Sequence, residues 1–391
     1  MHMKRKEFLM GANDKKLKIA ILGQGRSGRD IHAENMRHER LKDKFQIAAI
    51  AEPLEKRRER AKNELGGFGC EILSDYTELF GKAGTGKPGE GGIDLVVNAA
   101  PSHLHAPITL DLLNHGFNVL CEKPFAKTAA EVDAMIGAAA KNGRVLTVFQ
   151  QYRYFDAYKE IKRVVGSGVL GRIVQMSFQS SGFFRRWDWQ TLQEYTAGSL
   201  YNTGPHMLDM LLQLIGFDGM PDVKCYMDRV NTFGDAPDYV KLIMSAPGKP
   251  VADLEISACN PYPKFQYSIQ GEFGGLCGND SHLDYRHYVR ETAPERHLTR
   301  APIEKPDGTP AYCSEELEWV EESWDRDSAA AKAGAQNIPG APGLEPTVSY
   351  YEMLYGHMVN GAPLEVTPQQ VRQQIAVIEE CHRQNPMSML T

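Results

Sequence analysis

Residues 16–28 read "KLKIAILGQGRSG". The first seven form a short apolar run with β-branched members, lysine before it and glycine after it, which predicts a strand. The strand runs directly into Gly23-x-Gly25-x-x-Gly28. That pattern carries little weight alone, and its surroundings decide how it is read. A helix-like stretch follows to Leu41, and a second strand, "FQIAAIA" (45–51), ends at Glu52. Gly23 allows the tight turn, Gly25 lets the backbone approach a pyrophosphate, and Gly28 lets the helix pack closely on the strand. Helix-terminal N–H groups then face the phosphates, with Arg26 and Ser27 inside the same loop. Glu52 stands 24 residues after Gly28. A carboxylate at that strand end accepts from a ribose 2′-hydroxyl and repels a 2′-phosphate, so NAD is preferred over NADP. Arg57 and Arg58 follow closely and keep some NADP use open.

The chain has 391 residues, too many for one average core, and two domains are expected. Hydrophobic residues at 42% and charged residues at 24% are the balance of an ordinary globular protein. A net charge of −6 supplies no basic field for nucleic acid or an anionic membrane. No apolar run is long enough to span a bilayer. "MKRKEFLM" (3–10) lacks a following h-region, so the first sixteen residues read as a loose arm and the protein as cytoplasmic. Seven cysteines (Cys70, Cys121, Cys225, Cys259, Cys277, Cys313, Cys381) are scattered and never in C-x-x-C spacing. They suit a reducing compartment rather than a disulfide framework or a zinc site. His103 and His105, and "SHLDYRH" (281–287), lack ligand spacing, and no metal is expected.

The alternation continues with a helix over 54–65, a strand near 70–73, a helix over 75–80 and a strand over 93–97. A helix over 106–115 and a strand over 117–122 follow. "GKAGTGKPGEGG" (81–92) lacks the spacing of a phosphate loop and reads as a surface insertion. After residue 170 come "RIVQMSFQS", "DVKCYMDRV", "DYVKLIMSA" and "VADLEISA", runs with strand alternation and few helices between them.

Two strand ends carry more specific text. "NAAPSHLHAPITLDLLNHGFNVLCEKPFAKT" (98–128) resembles the signature block of the Gfo/Idh/MocA oxidoreductases, above all in Glu122-Lys123-Pro124 and in the Pro101-x-x-x-His105 element upstream. "VFQQYRYFDAYKEIKRVVGSGVLGRIVQMSF" (148–178) is similar to that family's passage into its second domain, and "GAPLEVTPQQVRQQIAVIEE" (361–380) to its C-terminal helix. The resemblance implies an α/β fold: an N-terminal Rossmann domain over 16–145, then an α/β domain over 146–391 with a large open, mostly antiparallel sheet. It covers about 16–260 and 350–385, leaving 275–345 as a probable insertion, with a closing helix over 368–384. In the family the open sheet face makes a dimer, so a homo-oligomer is expected. The cofactor set implied is the glycine loop with Glu52, Ala100, Pro101, His105, Glu122 and Lys123.

"GSLYNTGPHMLD" (198–209) enters a helix at Pro205, whose apolar stripe is Leu208, Leu211, Leu212 and Ile215, with Gly216 at its end. His206, Asp209 and Gln213 fall on the other side, either facing water or handling a proton. The family pattern G-G-G-x-x-x-D-x-G-x-H-x-x-D matches at Gly198, Gly204, His206 and Asp209, and favours the proton. Asn202 stands where the family most often has aspartate; asparagine orients a hydroxyl but accepts no proton. The resemblance therefore implies His206 as general base and acid, Lys123 as polarising donor and Asn202 as an orienting group. Asp209 either holds the imidazole or packs against the sheet. Arg153 either reaches the cleft or braces the domain junction. Trp187 and Trp189 in "FFRRWDWQ" (183–190) either stack on a sugar ring or pack in the core.

The implied activity is hydride transfer between NAD and a ring hydroxyl of a sugar, cyclitol or glycoside. Two alternatives stay open: transient redox on retained NAD, with net glycoside cleavage or epimerisation, and a non-catalytic NAD-binding sensor.

Overall fold

Four of the first six strands are almost wholly apolar and buried along their length, as strands covered by helices on both faces must be. In the computed structural model, which describes residues 15–85, 88–328 and 344–389, these are β1 (Leu17–Leu22), β2 (Phe45–Ala51), β3 (Glu71–Leu73), β4 (Leu95–Asn98), β5 (Val119–Cys121) and β6 (Leu146–Val148). All pair in parallel, in the order β3-β2-β1-β4-β5-β6. The order reverses beside β1, which opens a crevice at the carboxyl ends of β1 and β4. The helices are α1 (Glu55–Leu65), α2 (His105–Asn114) and α3 (Ala129–Asn142), the last capped by Thr128 and Glu131 in a reciprocal box.

The expected helix from Gly28 to Leu41 is shorter. Helical winding with i→i+5 bonds covers Arg26–Ala33, and the chain then closes in turns around His38. Between Glu34 and Lys44 only Met36 and Leu41 are large and apolar, five apart, so no stripe exists to hold a longer helix on the sheet. The expected helix over 75–80 is one short 3₁₀ turn, Tyr76–Leu79, capped by Asp75. The first fourteen residues, part of the expected arm, lie outside the described residues, as do 86–87 of the 81–92 loop.

A 3₁₀ turn (Gln151–Tyr154) and α4 (Asp156–Ser167) lead from β6 into β7 (Ile173–Ser181). After α5 (Ser199–Asn202) and α6 (Gly204–Ile215) come β8 (Asp222–Asp228), β9 (Tyr239–Ser245), β10 (Val251–Ser257), β11 (Tyr267–Gly271), β12 (Gly274–Gly278), β13 (His282–Tyr288) and β14 (Trp319–Asp325). They form one sheet ordered β14-β13-β12-β11-β7-β10-β9-β8, antiparallel except at β7–β10. Segment 275–345, set apart as an insertion by sequence, thus supplies most of β12 and all of β13 and β14; its residues 329–343 lie outside those described. On β9, Val240, Leu242 and Met244 are buried under helices while Lys241, on the other face, pairs with Asp253 and Glu255 of β10.

The chain then returns to the first sheet. In α7 (Leu344–Asn360) the Tyr350 hydroxyl donates to Val148 O at 2.7 Å. In α8 (Pro368–Gln384) Gln374 donates to Pro205 O, and Gln384 and Asn385 satisfy the backbone of the β8 edge at Val223, Cys225 and Met227.

His382 on α8 makes the fold sensitive to acid. Its ring stacks on Tyr201 with 4.7 Å between centroids, and its Nε2 is buried without a partner. Burial, helped by Lys127, pushes its pKa down to about 4. The unfolded chain takes up that proton near 6.5, so this group's stability is present above 6.5 and is lost as pH falls through 4. The expected loss is about 3 kcal/mol between those values. Burial also lowers His105 and His206, with the same sign. Thermal unfolding at stepped pH should show a falling midpoint below 6.5, and His382→Phe should flatten that slope; an unchanged slope would count against it.

Candidate active site

The turn after β1 is closed by the protein on two sides and open on the third. Gly23 has φ +85°, and a Cβ there would lie 2.6 Å from Ala99 O; one on Gly28 would lie 2.0 Å from Gly23 O. Beyond Gly25 the nearest atom to such a Cβ is Arg57 Nη1, at 3.8 Å. Backbone is therefore packed where the fold needs it and free where a pyrophosphate would approach, and these residues fit a dinucleotide.

Glu52, at the end of β2, is buried and accepts from Gln24 N at 2.6 Å and Leu54 N at 2.9 Å. Arg57 Nη1 lies 3.7 Å from it, whereas Arg58 is spent on the Glu52 and Pro53 carbonyls. Behind the loop a buried polar chain begins at Ser27, whose hydroxyl donates to Glu122. Glu122 also meets His32 Nε2 at 3.1 Å and accepts from Lys123 N at 2.9 Å, and the Tyr351 hydroxyl lies 2.7 Å from His32 Nδ1. Burial alone would push the Glu122 carboxyl up; His32, Lys123 and Ser27 outweigh it and hold it below the usual carboxylate range.

Lys123 follows β5, before a cis peptide to Pro124. Its Nζ donates to Asn202 O at 2.9 Å and lies 3.4 Å from Asn202 Oδ1, at the end of α5. Burial lowers the Lys123 pKa, Arg26 and Arg186 act in the same direction, and Glu122 opposes them. One turn further, in α6, His206 is 7% exposed. Burial pushes its pKa well below 6.5 and the Lys123 charge adds to that, so the ring is neutral at pH 7. A lysine whose charge is felt by a neutral imidazole thus stands on the same side of the fold: an ammonium can donate to an oxygen, and a neutral imidazole can accept a proton.

Residues 17–150 match the profile of an oxidoreductase family with an NAD-binding Rossmann fold, GFO/IDH/MocA, and residues 158–277 match the GFO/IDH/MocA C-terminal domain. The chain belongs to this family. It is 25% identical over 301 residues to the 2,7-anhydro-N-acetylneuraminate hydratase of Mediterraneibacter gnavus, across 73% of this chain and 75% of that protein. It is 28% identical over 258 residues to the scyllo-inositol 2-dehydrogenase (NADP(+)) IolW of Bacillus subtilis, across 66% and 67%. The fold matches the putative oxidoreductase yvaA of Bacillus subtilis with a TM-score of 0.72 at 20% identity, over 96% of this chain and 99% of that one. It matches the WlbA dehydrogenase of Bordetella pertussis, in complex with NADH and UDP-GlcNAcA, with a TM-score of 0.71 at 17% identity, over 97% and 99%.

In this GFO/IDH/MocA oxidoreductase several side chains take places other than those expected. Asp209 does not hold the imidazole, because both its oxygens bind Arg153, at 2.6 and 2.7 Å. Arg153 also donates to Glu365 O and Gln370 Oε1, so it braces elements of the second domain and the C-terminal region. The polar side of α6 is not solvent-facing: Asp209 is buried as deeply as the apolar stripe. His105 is buried with its ring nitrogens on Pro124 O and Ala100 O, at 2.6 and 2.9 Å. It ties together the loops after β4 and β5, and its own nitrogens are not free for a cofactor. Ala100 and Pro101 lie in the first of those loops. Trp187 is 77% exposed, with its ring edge-on to Phe233, so the core reading fails for it. Sequence reasoning missed His32 and Tyr351, 319 positions apart, and Tyr152, whose ring stacks on His206. No motif marks them; only the fold brings them there.

Proposed function

We propose that this oxidoreductase uses NAD to take a hydride from the ring carbon that bears a secondary hydroxyl of a sugar, cyclitol or glycoside. The observation that carries the reading is the Lys123–Asn202 contact beside a buried neutral His206. The bound nicotinamide supplies the hydride acceptor. The chain does the rest: Lys123 donates to the substrate oxygen, Asn202 fixes the Lys123 ammonium, and His206 takes the hydroxyl proton and returns it in the reverse direction. Gly23, Gly25, Arg26, Ser27 and Gly28 cradle the pyrophosphate, with Ala100, Pro101 and Glu122 along the crevice. Glu52 favours NAD, and the exposed face of Trp187 receives a sugar ring. We further place the protein in the cytoplasm as a homo-oligomer joined through the outer face of the second sheet. None of the described helices is long and apolar enough to cross a membrane.

The hydratase among the relatives favours one second reading, in which NAD is reduced and reoxidised within a single turnover and the net reaction is not a redox change. Both readings are tested by incubating the protein with NAD and a panel of sugars, inositols and glycosides. A substrate-dependent rise at 340 nm is the expected result. Product detected by mass without that rise, in protein that retains NAD, transfers the assignment to transient redox. NAD binding with neither signal overturns both.

A further inference from the structure

His206 lacks the partner that usually aims a catalytic imidazole. Its Nδ1 is buried and accepts or donates no hydrogen bond among the described residues, because Asp209, one turn along α6, is taken up by Arg153. With Nδ1 sealed in protein, Nε2 is the nitrogen left to meet a substrate. Something other than a carboxylate must hold the ring in that orientation.

The Tyr152 ring lies against His206 with centroids 4.1 Å apart and planes 12° from parallel. It lies equally close to Phe155, at 4.1 Å and 19°. Two rings that near and that parallel to a third cannot share one of its faces without overlapping each other. Tyr152 is therefore a plate between Phe155 and His206. It sits on the 3₁₀ turn after β6, directly before Arg153, whose guanidinium is locked by Asp209, Glu365 and Gln370. The turn is thus pinned at the next residue.

We infer that Tyr152 is the positioning residue for His206, doing with its ring face what a carboxylate does elsewhere. Stacking fixes the imidazole plane, which aims Nε2 without fixing a hydrogen bond at Nδ1. The electron-rich phenol face also attracts the imidazolium formed when His206 takes a proton, and that attraction is absent from the neutral ground state. The benefit appears mainly in turnover and little in substrate binding. This inference rests on His206 acting as the base in the proposed reaction.

The test compares Tyr152→Phe with Tyr152→Leu. The phenylalanine variant keeps the face and should stay within about twofold of the parent kcat. The leucine variant should lose about tenfold in kcat, with KM and NAD affinity within about twofold. Equal losses in both variants, or an unchanged kcat in the leucine variant, would overturn the inference. A second readout needs no turnover: the His206 ring proton resonance in histidine-labelled protein, assigned with His206→Asn. Stacking shifts it upfield, and Tyr152→Leu should return it to the ordinary position while Tyr152→Phe leaves it shifted. No upfield shift in the parent would overturn the stack itself. A shifted resonance in a protein that turns over nothing would count against the proposed reaction and leave the stack standing. Should the leucine variant fail to fold, Tyr152→Met, similar in volume but without a ring face, takes its place, with the same loss of kcat expected and an unchanged kcat overturning the inference.

Discussion

His206→Ala is expected to lower kcat about 1,000-fold while leaving NAD affinity unchanged, the middle of the range for a positioned general base. The argument is geometric before it is chemical. The imidazole stands within reach of the Lys123 charge, and burial and that charge together keep it neutral at pH 7. A neutral imidazole is the form that accepts a proton. The Lys123 pKa is lowered but the amine must be charged to polarise an oxygen, so kcat/KM should fall on both sides of a plateau. Its acid limb belongs to His206 and lies below pH 6.5; its basic limb belongs to Lys123 and lies below 10.5. Steady-state rates at 340 nm across pH, with NAD binding followed by protein fluorescence, check both points. A His206→Ala enzyme within tenfold of the parent would remove His206 from the proton step.

Arg153→Ala should destabilise the protein by about 3–5 kcal/mol, the largest stability effect expected of any single change here. Arg153 and Asp209 meet through two parallel hydrogen bonds, with side chains 10% and 2% exposed. Removing the guanidinium leaves a buried carboxylate with no compensating charge and also takes the donor from Glu365 O, while Gln370 Oε1 keeps Thr367 N. The cost therefore comes from what is left behind rather than from the attraction lost. Arg153→Met combined with Asp209→Leu removes both charges and keeps the volume, so it should recover most of the loss. Urea unfolding midpoints of the parent, the single and the double variant decide this. A single variant as stable as the parent would show that water or a neighbouring group already solvates Asp209.

Much of the first domain is legible because its signals are local. Gly28 answers a contact made within the strand–turn–helix unit itself, with Gly23 O, and Glu52 closes the same turn by accepting from Gln24 N; the Ala99 O that crowds Gly23 comes from beyond β4. The strands of the second sheet are equally legible as alternating runs, since every second residue of β9 and β10 is buried and those of β8 are buried or half-buried. The stretch 275–345 carries weaker signals. β14 is exposed along nearly its whole length, so it carries no buried alternation, and only pairing with β13 makes it a strand. The helix after Gly28 stops at Ala33, short of Leu41, and charge and polarity do not show where a helix stops without an apolar stripe.

What sequence alone determined, then, is the dinucleotide turn, the two-domain order and the placing of Lys123 and His206 at element ends, because each depends on residues a few positions apart. Only tertiary structure decided which groups act together. Asp209 lies one turn from His206 along the helix, yet its oxygens point to Arg153 from the domain junction. Tyr152 reaches His206 from 54 positions away, and Tyr351 reaches His32 from the far end of the chain. A side chain's partner is set by which neighbour satisfies it best once the backbone has closed, and that neighbour need not be near in sequence.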